Sequence, residues 1–309
     1  MPFGDAQVPF LIRRDGGGFF SMMSTVLCQL QRSEQLNFIP VVDLENSQTV
    51  YKEDEPVNGS KNPWEYYFNP VSGMSLGQAR SSNLFVESDG QHPHGMTQSI
   101  SNDPDLLRVF NKFVTLNSST DRIVNDSTSS IDERTLGVHF RGNEMRTATS
   151  HPLTMTLRQC KAIVNEQLET GNFSRILLVT EGQQYVNYFK RHFGDKLTVT
   201  DTYRLWKRNA YKVYPRGQHR YRLGLEAIVD AYSLAKCGGL ICSSSNLAEF
   251  SILLNDGKYS TLIEVNNGTN SSNRIISEFS WYARAALPLG STKGLQNKIR
   301  SSIQSTPQA

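Results

Sequence analysis

The sequence predicts an α/β protein built from two doubly wound, Rossmann-like halves facing a cleft. Three observations predict it. Short apolar runs at 8–14, 38–44, 136–141, 175–180, 196–200, 238–242 and 259–265 read as buried strands, and amphipathic stretches separate most of them. The stretch 117–134 is short on large apolar residues and rich in Ser and Thr, so it reads as the connection between halves. The chain has 309 residues, 38 % of them apolar and 20 % charged, which exceeds one simple core and suits two. The predicted division is an N-terminal α/β domain over 1–130, a C-terminal Rossmann-like domain over 131–290 and a flexible Ser/Gln-rich tail over 291–309.

Each element has a local reason. The strand "VPFLIRR" breaks at "DGGG" (15–18), and the helix predicted over 19–35 carries apolar residues 19, 22, 23, 26, 27 and 30 on one stripe. Strand 38–44 follows, giving a β–glycine loop–α–β opening. Residues 45–102 are less regular. Asp103 as cap and Pro104 in the first turn start a helix over 103–117. In the second half, helices over 154–170, 183–193, 220–236, 246–254 and 273–287 alternate with the strands.

Composition excludes some functions. A formal net charge of +3 is low for a protein that holds nucleic acid along a whole face. No apolar window of about 18 residues reads as a membrane span, and "MPFGDAQVPFLIRR" does not have the form of a signal peptide. Cys28, Cys160, Cys237 and Cys242 lie far apart without CxxC spacing and read as buried free thiols. These features favour a cytoplasmic protein, free or peripheral to a membrane. Asn-x-Ser/Thr triplets at Asn58, Asn117, Asn125, Asn172, Asn267 and Asn270 keep open the alternative of a lumenal domain from a longer chain.

Polar residues gather where the second-half strands end. His139 and Arg141 close one strand, Thr180 and Glu181 follow the next, and "ICSSSN" (241–246) follows a third. Parallel pairing would bring all three to one rim, where ligands of such sheets bind. Arg141 offers a fork that fits phosphate oxygens. Ser243, Ser244, Ser245 and Asn246 offer hydroxyls and the free N–H groups of a helix start, although an ordinary helix cap explains any one of them. Asp230 lies four residues after Glu226 on a helix with apolar neighbours, as a solvated acid or as the partner of Arg141 or a ligand hydroxyl. The interval 204–222 holds seven Arg and Lys, among them Arg222, with interleaved aromatics and no acid. It suits stacked bases of single-stranded nucleic acid, a nucleotide's base and diphosphate, or a solvated loop; the low net charge favours a local anion site. Gly16, Gly18 and Ser21 come near a dinucleotide fingerprint, with Asp43 where a ribose-binding acid would lie, but serine replaces the last glycine. Metal motifs are poor: "HPH" (92–94) is isolated, and "EDE" (53–55) and "DPD" (103–105) follow no clear strand. Trp64, Tyr66 and Tyr67 suit either sugar stacking or core packing.

"VHFRGNE…SHP", "LLVTEG" and "EAIVDAYSLAKCGGLICSSSNLAEFS" resemble three successive motifs of the GDP-fucose-dependent fucosyltransferases. "DGGGFFSMMSTVLCQLQRSEQLNFIPVVDLE" is similar to their glycine-rich loop and first helix. The nearest subgroup is the core alpha-1,6-fucosyltransferases with the bacterial nodulation enzyme; the protein O-fucosyltransferases are cousins. The resemblance covers about two-thirds of the chain and is most specific over 220–250. It implies a GT-B-like architecture and metal-independent, inverting transfer of fucose from GDP-fucose to a glycan hydroxyl, with no cofactor. By resemblance Arg141 binds the β-phosphate and helps expel GDP, Glu181 sits near the guanosine, and Asp230 faces the guanine or ribose. Ser243, Ser244, Ser245 and Asn246 meet the diphosphate, His139 shapes the pocket floor, and Gly17, Gly18 and Arg222 complete the donor-binding set. Glu144 is the first candidate for general base, with His151 behind it, and an ion pair with Arg146 is the plainer reading of Glu144. The chain departs from the subgroup at Gly142, where a second arginine is usual, at Glu144–Met145, which replace an Asp–Lys pair, and at Glu181–Gly182, where one of two acids is missing. The implied partners are a nucleotide sugar and a glycan acceptor, with no nucleic acid and no transmembrane segment; acceptor and oligomeric state stay open.

Overall fold

The computed structural model describes residues 8–90, 100–142, 145, 147–206, 210–286 and 298–301. It divides into two compact units. The first is Met1–Asp126 with Tyr214–Ile228, and the second is Ser127–Val213 with Val229–Ala309.

The first unit holds a three-stranded parallel sheet in the order β2-β1-β3, from β1 (Pro9–Ile12), β2 (Ile39–Val42) and β3 (Val86–Glu87). Helix α1 (Phe19–Gln35) joins the first two strands, and most of its residues are buried, including Phe19, Met22, Met23, Val26, Leu27 and Leu30. Phe19 anchors an aromatic cluster with Tyr51, Tyr67 and Phe68. Trp64, Tyr66 and Tyr67 are 2 %, 0 % and 1 % exposed, so they are core residues and not a sugar-stacking platform. The later helices are α2 (Leu76–Ser81), which starts on a Ser75–Gln78 capping box, α3 (Pro104–Phe113) and α4 (Ser118–Thr128).

Two expectations change here. Helix α3 stops at Phe113, because 114–117 turns away to bond with 67–69: Asn69 N–H donates to Thr115 O and Asn117 N–H to Tyr67 O. The predicted connection over 117–134 contains α4. Asn117 starts it by accepting from Thr120 N–H, and Thr120, Val124 and Thr128 bury one face at helical spacing. That stripe has a single aliphatic residue, so it is faint in the sequence. Asn117, Asn267 and Asn270 use their side-chain amides within the fold, which removes them as glycan acceptors as folded.

The second unit holds a six-stranded sheet in the order β6-β5-β4-β7-β8-β9. Its strands are β4 (Thr135–His139), β5 (Arg175–Val179), β6 (Leu197–Val199), β7 (Gly239–Ser243), β8 (Thr261–Asn266) and β9 (Lys298–Ser301). The first five are parallel and β9 is antiparallel. Thus 298–301, within the predicted tail, forms an edge strand; pairing there uses backbone groups, to which Ser/Gln content is blind. The helices are α5 (Leu157–Glu169), α6 (Gln183–Phe193), α7 (His219–Lys236), α8 (Asn246–Asn255) and α9 (Arg274–Ala286). The unit boundary falls inside α7, between Ile228 and Val229. One core face packs Leu136, Val138, Phe140, Ile176, Leu178 and Phe189; the other packs Leu177, Val179, Leu234, Leu240 and Cys242. All four cysteines are buried and free, as the sequence reading expects, and burial raises their thiol pKa values. No helix among the described residues is long and apolar enough to cross a membrane.

Strand β4 comes first in the second unit yet lies between β5 and β7. The chain therefore winds outward in both directions from β4, and the crevice beyond the carboxyl ends of β4 and β7 is the topological switch point.

Candidate functional site

The switch point collects the residues singled out at three strand ends. His139 is the last residue of β4, opposite Val179 of β5. It is 5 % exposed, and its Nδ1 lies 3.2 Å from Ser245 Oγ. Burial, helped by the charge of Arg141, lowers its pKa to about 3, so the imidazole is neutral at physiological pH. Ser245 is the N-cap of α8 and accepts from Ala248 N–H at 3.2 Å. Ser245 Oγ can accept from Ala248 and still either donate to or accept from His139 Nδ1, so the direction of this bond follows the imidazole tautomer. A buried strand end and a helix cap on the next strand are locked together by one hydrogen bond.

Arg141 follows two residues later, half-buried, without a hydrogen bond or ion pair to another described residue. Gly142 N–H donates to Glu181 Oε1 at 2.9 Å, so Glu181 holds the turn after β4. A Cβ at position 142 would lie 2.4 Å from the Tyr185 ring, which is 4 % exposed and packs on Phe140. The second arginine of the resembling subgroup is therefore excluded at 142 by a buried aromatic ring. Glu144 and Arg146 lie outside the described residues.

Ser243 closes β7, and its Oγ accepts from Met155 N–H at 3.2 Å, which ties the returning loop to the sheet. Ser244 and Asn246 are exposed at the start of α8. The turn therefore divides its labour: Ser243 and Ser245 are structural anchors, and Ser244, Asn246 and the first N–H groups of α8 face outward. Asp230 is half-buried on α7.

Other predicted residues belong to the first unit. Gly17 has φ +81°, and Gly18 is the N-cap of α1 without a side-chain hydrogen bond. Arg222 is exposed on α7, within Tyr214–Ile228. Glu226 pairs with Arg216 at 2.6 Å, which gives it a structural partner separate from Asp230. Asp43 is 0 % exposed and bonds Arg13 at 3.1 Å and Arg80 at 2.8 Å, so it is a buried ion-pair centre and not a ribose-binding acid. Glu53, from "EDE", is buried and receives Tyr221 N–H and Tyr214 O–H.

The basic interval also resolves into clamps. Arg204 donates to the carbonyls of Thr180, Thr202 and Thr200, bracing the ends of β5 and β6. Arg220 holds Lys52 O and Asp54. With Arg216 held by Glu226, three of its arginines are committed to the fold, which leaves little of a nucleic-acid track; Lys207 and Arg208 lie outside the described residues. "HPH" (92–94) lies outside them too, and among the described residues no group of three His, Cys, Asp or Glu could hold a metal. Tyr185 and Arg284 were missed. Only position 142, read as departing from the resembling motif, hinted at Tyr185.

No protein-family profile and no curated sequence matches the chain. Solved structures do. One is the NodZ alpha-1,6-fucosyltransferase co-crystallised with GDP, at 15 % identity and TM-score 0.56, covering 85 % of this chain and 96 % of that one. Two structures of fucosyltransferase NodZ from Bradyrhizobium follow, at 14 % and 15 % identity and TM-scores 0.55 and 0.54, each covering 84 % of this chain and 96 % of theirs. Similarity at this level identifies the chain as having a GDP-fucose fucosyltransferase-like fold.

Proposed function

We propose that this protein is an inverting, metal-independent glycosyltransferase that moves fucose from GDP-fucose to a glycan hydroxyl, in the GT-B-like arrangement of two Rossmann-like domains that the resemblance implies. The observation that carries the reading is the switch point itself. A guanidinium unpaired among the described residues, Arg141, stands beyond β4, and the start of α8 stands beyond the neighbouring β7. A helix start beside an arginine is suited to a diphosphate.

In the reaction an acceptor hydroxyl attacks the anomeric carbon and loses its proton to a base. The bond from that carbon to the β-phosphate oxygen breaks on the opposite face, and the electron pair leaves with GDP. Negative charge grows on the diphosphate, where Arg141 and the N–H groups at 244–246 receive it. Neutral His139, buried and held by Ser245, shapes the floor of the site and is not the base. Glu144 is the proposed base, with His151 second. Gly17, Gly18, Arg222, Glu181 and Asp230 complete the proposed donor contacts.

A donor with a different sugar or base is the second reading. Gly142 favours it, because a cation of the resembling subgroup is replaced by glycine under Tyr185. A thermal-shift panel of GDP, UDP, ADP and their sugars, run with a chelator, tests both. GDP raises Tm in wild type and not in Arg141→Ala if the first reading holds. Stabilisation by UDP but not GDP overturns the donor assignment.

A further inference from the structure

We propose that Arg284 is the cation of a second oxyanion site in the second unit, binding a phosphate-type anion through its Nε and Nη2 edge. Arg284 lies in the last turn of α9 and is 9 % exposed. Its Nη1 donates to Thr154 O at 3.2 Å. Nε and Nη2 are buried and have no hydrogen-bond partner among the described residues. Those two N–H groups lie on one edge of the planar guanidinium and form the fork that meets two oxygens of a phosphate or carboxylate.

Among the described residues no acid pairs with Arg284. Glu278, the one acid of α9, pairs with Arg274, and residues 287–309 contain no Asp or Glu. The Trp281 ring, 5.8 Å from the guanidinium carbon, offers a cation–π contact and no hydrogen bond. Burial pulls the guanidinium below its ordinary pKa, the expected penalty for a cation held without a partner.

Helix α9 is also turned against its own amphipathicity. Ser277, Trp281 and Arg284 are buried, and Ile275, Ile276, Phe279 and Tyr282 are exposed. Apolar burial alone would turn the other face inward. The buried face is the one that keeps a cation inside.

The surroundings continue the pattern. Thr154 O also receives Asn267 Nδ2, and the buried Thr154 Oγ1 has no partner, so its proton is available to an anion. The next residue, Met155, is bonded to Ser243 at the end of β7, which puts the cluster beside the strand ends. The Arg284 fork is closed to solvent, so an anion reaches it only as α9 or the loop before Thr154 yields.

The site does not depend on the donor reading, and its test distinguishes the failure of one from the failure of the other. The full chain is titrated with inorganic phosphate against sodium chloride of equal ionic strength, by thermal shift and by calorimetry. Wild type and Arg141→Ala are stabilised saturably by phosphate. Arg284→Gln loses the response, with affinity weakened on the order of 10–100-fold, the value of a charge-assisted pair. Without phosphate, Arg284→Gln melts no lower than wild type, because a stranded charge has been removed. Arg284→Lys, which has no fork, does not restore binding. GDP and guanosine separate the sources: if Arg284→Gln weakens GDP but not guanosine, the anion is the nucleotide's diphosphate, and if both are unchanged it is free phosphate. Should Arg284→Gln fail to fold, amide exchange in wild type decides, slowing over 148–155 and 274–286 when phosphate is added. No phosphate response in wild type, a response lost in Arg141→Ala but kept in Arg284→Gln, or unchanged exchange in those segments overturns the proposal.

Discussion

The glycine turn after β1 and the serine turn after β7 both lead from a buried strand into a helix. In the first, the glycines offer only backbone, and one carbonyl and two side chains from flanking residues hold the turn. Gly16 N–H donates to Gln48 O, Asp15 accepts from Gln48 N–H, and Phe19 N–H donates to Tyr51 Oη. The N-cap side chain contributes nothing, since Gly18 has none, and Gly16 and Gly17 adopt φ of +66° and +81°. In the second, side chains close the turn: Ser243 holds Met155, and Ser245 holds both α8 and His139. One turn is shaped by conformational freedom and the other by hydrogen bonds to a neighbouring strand. The glycine turn is thus sensitive to a Cβ at Gly16 or Gly17, and the serine turn to the loss of single oxygens. The second also has beside it an arginine, Arg141, that is unpaired among the described residues.

Substitutions at the two turns should therefore fail differently. The largest effect belongs to Arg141→Ala, for which the proposed transfer falls on the order of 10²–10³, with Tm little changed; kinetics beside a melting curve checks both. Next is Gly142→Arg, which would restore the subgroup's second cation but drives a Cβ into Tyr185. It destabilises by about 1–3 kcal/mol as an overpacked core does. A double-mutant cycle with Tyr185→Ala recovers part of that loss in denaturant unfolding.

The serine turn also carries a pH signature. His139 is held neutral to about 3 when folded, against an ordinary value of 6.5, so the unfolded chain takes up the proton first. This contribution to stability is intact above 6.5 and is lost as pH falls toward 3, with a slope approaching ~1.4 kcal/mol per pH unit. His139→Gln flattens that dependence in urea melts between pH 7 and 4; an unchanged slope would show that the imidazole is not held neutral.

Smaller effects complete the contrast. Ser245→Ala removes a cap and the His139 contact and costs about 1–2 kcal/mol. Gly17→Ala places a side chain at φ +81°, near Ser21 Oγ, and costs about 1 kcal/mol. A larger loss at Gly17 than at Ser245 would reverse the comparison.

Much of the fold was legible because buried parallel strands are nearly continuous apolar runs. The runs at 136–141, 175–180 and 238–242 became β4, β5 and β7 within two residues at each end. Helix α4 was less visible, since Thr120 and Thr128 count as polar while filling core positions. At the site, the motifs located Arg141, His139 and the 243–246 turn. They said nothing of which hydroxyls were already spent, because Met155 and Ala248 become partners only when the loop returns and α8 starts.

By itself the sequence determined the alternation of strands and helices, the rim on which His139, Arg141 and the serines fall, and the burial of all four thiols. These follow from periodicities of two and 3.6 and from the cost of exposing apolar surface, both local properties. Only the tertiary structure decided that Asp43 is an ion-pair centre, that Tyr185 makes 142 a glycine, and that Arg284 is buried with its fork unmet. Each of those depends on what residues distant in the chain bring to a position, and such pairings come into existence when the sheet and its helices pack.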